Sequence, residues 1–139
     1  EYGKLKSPQI EKKKNLQSTY SVYGRAKLLS TKFLIELNEK NNFPSTIIRL
    51  YLVYGPKQDI NRVIPITIKN ALEDKKFDCS NGLQYRDFVY IDDVVNAILK
   101  ILKSKKTNGE IINIGSGKPL RIKELIKKIC LIVGAGKYW

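Results

Sequence analysis

The chain has 139 residues, 42% hydrophobic and 28% charged, with two cysteines, no histidine, no methionine and a formal net charge of +13 at pH 7. That length and balance suit one globular domain or parts of two and exclude a disordered tail, while the lack of histidine excludes Ser-His-Asp catalysis and histidine-ligated zinc within these residues. No apolar run is long enough to span a bilayer, no secretory signal is visible, and Cys79 and Cys130 lack metal spacing, so the expected setting is cytoplasmic, with no metal and no membrane partner.

Residues 1–17, dense in charge and broken by Pro8, read as loop. A helix is expected over 18–38, capped by Ser18 or Thr19, with Leu28, Leu29, Phe33, Leu34 and Leu37 as its apolar stripe. The β-branched run over 45–55, "STIIRLYLVYG", predicts one buried strand. After the loop "GPKQDIN", residues 62–75 read as a helix with Pro65 in its first turn. Short strands are expected at 76–79 and 84–90 around the turn "SNG". An amphipathic helix over 92–104 follows, then a strand in "GEIINIG", then a helix over 119–133 closed by Gly134. Strands alternating with helices predict an α/β protein with a largely parallel sheet.

The positive charge invites a nucleic-acid reading. Against it, 21 of the 26 basic residues are lysine, scattered over several elements, and no aromatic residues alternate with them to stack bases. A solvated lysine surface is the better account, with no nucleic-acid partner expected. The chain begins at Glu1 and contains no methionine, which predicts an internal piece of a longer protein.

Three motifs invite over-reading. "GSGK" at 115–118 resembles the end of a phosphate-binding loop, but Ile112 and Pro119 stand where that pattern needs glycine and Ser or Thr, so a tight strand-to-helix turn is expected. "LIVGAG" at 131–136 lacks the third glycine of a dinucleotide turn and continues a helical pattern. Asp92 and Asp93 stand at a helix start, where capping outweighs metal ligation.

"YSVYGRAK" carries more. Tyr23 and Lys27 are four apart, so on a helix they share a face. A phenol titrates near pH ~10 unless a neighbouring cation favours its phenolate, and a Tyr-Lys pair can then move a proton to or from a hydroxyl. The same spacing also arises by chance, and alone it leaves both readings open.

The ordered set "EYG … YSVYGRAK … IIRLYLVYGP … NRVIP … QYRDFVYIDDVVNAI … INIGSG" resembles the extended short-chain dehydrogenase/reductase family, in its nucleotide-sugar epimerase/dehydratase branch, over nearly the whole chain. The resemblance implies part of a Rossmann-type doubly wound parallel sheet plus a smaller α/β substrate-binding domain. Residues 1–50 would finish the NAD(P)-binding domain, and 51–139 would be mainly the substrate domain, with some elements returning to the sheet. It implies NAD or NADP as cofactor, a nucleotide diphosphate sugar as substrate, and a homodimer formed through the helix that carries Tyr23.

By the same resemblance Tyr23 is the acid/base and Lys27 its partner on the nicotinamide ribose. Leu50 and Tyr51 would pass near the nicotinamide, Asn61 and Arg62 would meet the nucleotide, and Arg86 would clamp the diphosphate, for which an arginine fork is suited. The competing reading of Arg86 is a surface ion pair with Asp87 or Asp92; Asp87 itself would orient its neighbours. The family's catalytic Ser or Thr and its glycine-rich turn would precede Glu1, so the chain alone is expected to be inactive. Where many relatives carry a substrate-binding Asn this chain has Leu52. That counts against 4-epimerisation and toward enzymes that reduce or modify nucleotide-linked deoxysugars for surface polysaccharides. A catalytically silent binding module of the same fold, and a basic nucleic-acid-binding domain, are the rival readings.

Overall fold

The computed structural model of the chain describes residue 11 and residues 21–76 and 80–134. The loop over 1–17 apart from residue 11, the caps Ser18 and Thr19, most of the expected strand at 76–79, and the end of "LIVGAG" fall outside those residues. The chain divides into two compact units: residues up to Leu50 with Val95–Ile114, and Tyr51–Val94 with the residues from Gly115 onward.

In the first unit, helix α1 runs over Val22–Asn41 and buries Gly24, Leu28 and Thr31. Its cap is Ser21, whose hydroxyl accepts from the Gly24 N–H at 3.0 Å. Capping at Ser21 fits because that residue keeps extended backbone and spends its side chain on an orphan donor. Leu29 and Phe33, expected in the buried stripe, are 66% and 60% exposed. At 100° per residue they fall with Val22 on the side of the helix opposite Gly24, Leu28 and Thr31. Asn42 ends the helix in the left-handed conformation.

The expected single strand over 45–55 is two. Strand β1, Ile47–Leu50, pairs in parallel with β5, Ile111–Ile114; β2, Leu52–Tyr54, pairs in parallel with β4, Phe88–Tyr90. Ile47, Ile111 and Ile114 are buried in the first unit. The lead into β1 is fixed by side chains: Asn38 Nδ2 donates to the Phe43 carbonyl at 2.9 Å, and the Ser45 N–H donates to Asn108 Oδ1 at 2.9 Å. Gly109 stands at φ +76°, and any Cβ there would meet the Asn38 amide, so this corner requires glycine.

In the second unit, α2 (Val63–Leu72) carries Pro65 in its first turn, where no intrahelical N–H is lost. Two-residue strands β3 (Tyr85–Arg86) and β6 (Leu120–Arg121) pair antiparallel. Helix α3 covers Ile91–Leu102, with Asp92 and Asp93 in its first turn, where the helix dipole favours them; its residues from Val95 onward count with the first unit, whereas helix α4, Ile122–Val133, lies in the second. Helices α2 and α4 pack together around Ala71, Phe88, Ile122, Ile126 and Cys130. On α4, residues 122, 126, 129 and 130 follow helical spacing, which is why one face is buried. Glu124 accepts from the Arg121 N–H at 3.2 Å, satisfying one donor at the start of α4, and Gly134 closes that helix in the left-handed conformation.

Candidate active site

Tyr23 and Lys27 lie side by side on α1, with Lys27 Nζ 5.6 Å from the centre of the Tyr23 ring. Tyr23 is 73% exposed. On the helix the pair stands roughly a quarter-turn round from the buried face, so its polar ends reach solvent while its backbone is held by the packed side. The Ser21 cap fixes the first turn, the one that carries Tyr23. Leu50, at the end of β1 in this unit, is exposed.

In the second unit, Tyr51, Asn61 and Arg62 share one cleft of about 450 Å³, with Leu52, Gln58 and Phe88 among its other walls. Gln58 Nε2 donates to the Val53 carbonyl at 2.8 Å, and both Asn61 nitrogens donate to Asp59 Oδ1, at 2.9 and 3.1 Å. These bonds hold the loop between β2 and α2 against the cleft. Arg62, at the N-terminus of α2, is exposed. Leu52, 44% exposed, gives this polar cleft an apolar wall.

Arg86 lies outside that lining. It is exposed on β3, and its Nη1 donates to the Tyr85 carbonyl at 2.8 Å. The described ion pairs are Lys40–Glu36 and Lys75–Glu73; neither Arg62 nor Arg86 enters one. The Asp87 carboxylate is engaged by the turn at 115–118 rather than by Arg86. Its Oδ1 accepts from the Ser116 N–H and the Ser116 hydroxyl, each at 2.7 Å, and its Oδ2 accepts from the Gly117 N–H at 2.9 Å. The "GSGK" turn is thus a set of backbone donors, as its likeness to a phosphate loop suggests, but the chain's own carboxylate fills it. Gly117 stands at φ +69°, the conformation such a turn needs. Gly115 is required by space: a Cβ there would sit 2.9 Å from Tyr51 Cδ2 and 3.0 Å from Asp87 Oδ2.

The structure therefore gathers Tyr23 with Lys27 in one unit and Tyr51 with Asn61 and Arg62 in the other. The Asp87–turn contact was not readable, because no local pattern links residues 29 positions apart. Among the described residues no three His, Cys, Asp or Glu side chains cluster to hold a metal, and no helix is long and apolar enough to cross a membrane.

This geometry has counterparts of known type. The chain is 35% identical over 113 residues to CDP-abequose synthase of Salmonella muenchen, covering 77% of this chain and 39% of that protein. Among solved structures, a dTDP-glucose 4,6-dehydratase from Bacillus anthracis in complex with NAD superposes with a TM-score of 0.84 at 26% identity, over 99% of this chain and 46% of that one. A UDP-glucuronic acid 4-epimerase from Bacillus cereus in complex with UDP-glucuronic acid and NAD superposes with a TM-score of 0.80 at 32% identity, over 99% and 45%. The chain thus spans less than half the length of these relatives. Their fold is the α/β, Rossmann-type arrangement that the family resemblance implied. Residues 1–115, which include Tyr23, Lys27, the break at Tyr51 between β1 and β2 and the start of the carboxylate-filled turn, match the sequence model of one family, and the chain belongs to it: the NAD dependent epimerase/dehydratase family.

Proposed function

We propose that the complete protein carrying this chain is an NAD(P)-dependent nucleotide-sugar epimerase, dehydratase or reductase that works in the cytoplasm as a homodimer and serves surface polysaccharide synthesis. The observation that carries this reading is the Tyr23–Lys27 pair, adjacent and solvent-facing on a helix packed along a neighbouring face. The residues present fit the ribose end of a nicotinamide cofactor: an ammonium with three donors for ribose hydroxyls, beside a phenolic hydroxyl that both donates and accepts. When bound, that cofactor supplies the hydride acceptor or donor.

The chain's own residues do the rest. Tyr23 takes the proton from a sugar hydroxyl as its carbon is oxidised, or returns it on reduction. Lys27 holds the ribose and places a positive charge by the ring as the proton leaves. Asn61 and Arg62 hold the nucleotide in their cleft, Leu50 and Tyr51 pass near the nicotinamide, and Arg86 clamps the diphosphate through charge-assisted bonds. Leu52 in the cleft wall offers no side-chain hydrogen bond, which counts against 4-epimerisation and toward reduction or other modification of a nucleotide-linked deoxysugar. The exposed stripe of Val22, Leu29 and Phe33 on α1 supports dimerisation through that helix.

The test is conversion of UDP-glucose, dTDP-glucose and UDP-glucuronic acid by the complete protein, followed by NMR with NAD or NADP added to a cofactor-stripped preparation. At least one sugar is expected to change, and only with cofactor present. A protein that binds none of UDP, dTDP or CDP at millimolar concentration contradicts the reading.

A further inference from the structure

We infer that Asp87 is a positioning residue for the nucleotide site, acting through Arg86 and Tyr51; this rests on the reading of Arg86 as a diphosphate ligand. Residue 87 is tied from two directions. Its carboxylate takes three hydrogen bonds from the Ser116–Gly117 turn, at 2.7, 2.7 and 2.9 Å. Its carbonyl accepts the Leu52 N–H at 3.1 Å, at the edge of the cleft. Arg86 is therefore clamped between this anchor and the β3–β6 pairing, where it stands opposite Leu120. One N–H of its guanidinium is held by the Tyr85 carbonyl, and an arginine carries further donors with which to meet a ligand.

The same anchor reaches Tyr51. The space a Cβ on Gly115 would take is filled by the Tyr51 ring on one side and the Asp87 carboxylate on the other. Tyr51 lines the cleft with Asn61 and Arg62. One carboxylate thus sets the backbone of the diphosphate arginine and backs the turn on which a cleft aromatic leans. Charge-assisted bonds to fixed backbone donors supply the rigidity that positioning needs.

Electrostatics alone predicts the opposite sign. A carboxylate next to Arg86 repels a diphosphate, so Asp87→Asn would tighten binding if charge were its only role. In the Asn variant the side-chain amide N–H₂ must face a turn N–H, and the three-bond set cannot be kept. The experiment is calorimetric titration of the complete protein with UDP, dTDP and CDP, and separately with NAD, for Arg86→Ala, Asp87→Asn, Ser116→Ala and the Arg86→Ala/Asp87→Asn double variant. Asp87→Asn is expected to weaken nucleoside diphosphate binding about tenfold, and Ser116→Ala about threefold, with NAD affinity unchanged. In steady state KM for the nucleotide sugar rises more than kcat falls, and Asp87→Asn costs less once Arg86 is gone, the remainder being the part exerted through Tyr51. If Asp87→Asn fails to fold, Ser116→Ala, which keeps the charge, carries the test. Unchanged or tighter diphosphate binding in the Asp87 and Ser116 variants, with Arg86→Ala impaired, overturns the positioning role and leaves the Arg86 reading intact. Equal weakening toward NAD and diphosphates also overturns it. Unchanged binding in Arg86→Ala overturns the Arg86 reading and this inference with it.

Discussion

Replacing Gly115 by Ala tests the anchor without touching a charged group. Gly115 does not occupy the left-handed backbone region, so the substitution meets no backbone objection and its effect is steric. The new methyl would lie 2.9 Å from Tyr51 Cδ2, 3.0 Å from Asp87 Oδ2 and 3.2 Å from Asp87 Cγ. Unstrained carbon contacts are about 3.5–4.0 Å, so the ring or the carboxylate must retreat by roughly half an ångström. Neither moves freely: the carboxylate is held by three hydrogen bonds, and Tyr51 connects two paired strands. Overpacking of this kind costs about 1–3 kcal/mol, offset by about 0.4–1 kcal/mol from the stiffer unfolded chain. A net loss of about 1–2 kcal/mol, concentrated at the turn, accelerates exchange of the Ser116 and Gly117 amides roughly tenfold. Hydrogen exchange on the complete protein reads this directly, with dTDP affinity measured in parallel. Exchange and affinity both within twofold of the parent would refute the reasoning.

Two further outcomes follow from the same structure. Ser21→Ala removes the cap of α1 and is expected to cost about 1 kcal/mol of helix stability. Because the frayed turn carries Tyr23, turnover falls with amide protection at Gly24, and restoring Thr or Asp at 21 restores both. Cys130 is 5% exposed, and burial pushes its thiol above the ordinary value near 9. The folded form therefore disfavours the thiolate, so iodoacetamide at pH 8.5 labels it at least tenfold more slowly than in urea. Stability attributable to this group is intact below the ordinary thiol value and declines as pH rises through it toward the raised folded value. Cys130→Ala removes that decline.

What the sequence disclosed follows from the range of each signal. The helices over 62–75, 92–104 and 119–133 were legible because their apolar residues recur at helical spacing, and Pro65 and Gly134 mark a start and an end by rules confined to one turn. The breaks at Tyr51 and Asp87 were not legible. "IIRLYLVY" is uniformly β-prone, and its two halves separate only because one pairs with Ile111–Ile114 and the other with Phe88–Tyr90. Likewise Leu29 and Phe33 are as apolar as Leu28, and sequence alone does not say which side of a broad stripe meets the core. The pairing of Tyr23 with Lys27 was legible because it spans a single helical turn. The use of Asp87 to fill the "GSGK" donors depends on contacts across the fold.

The most direct measurement is the turnover of Tyr23→Phe in the complete protein. The change removes one oxygen from a side chain that is 73% exposed, so fold stability stays within about 0.5 kcal/mol. Loss of the proton-transfer group lowers kcat about 10²–10⁴-fold with NAD affinity unchanged. A kcat within twofold of the parent would contradict the assignment of Tyr23 as the acid/base.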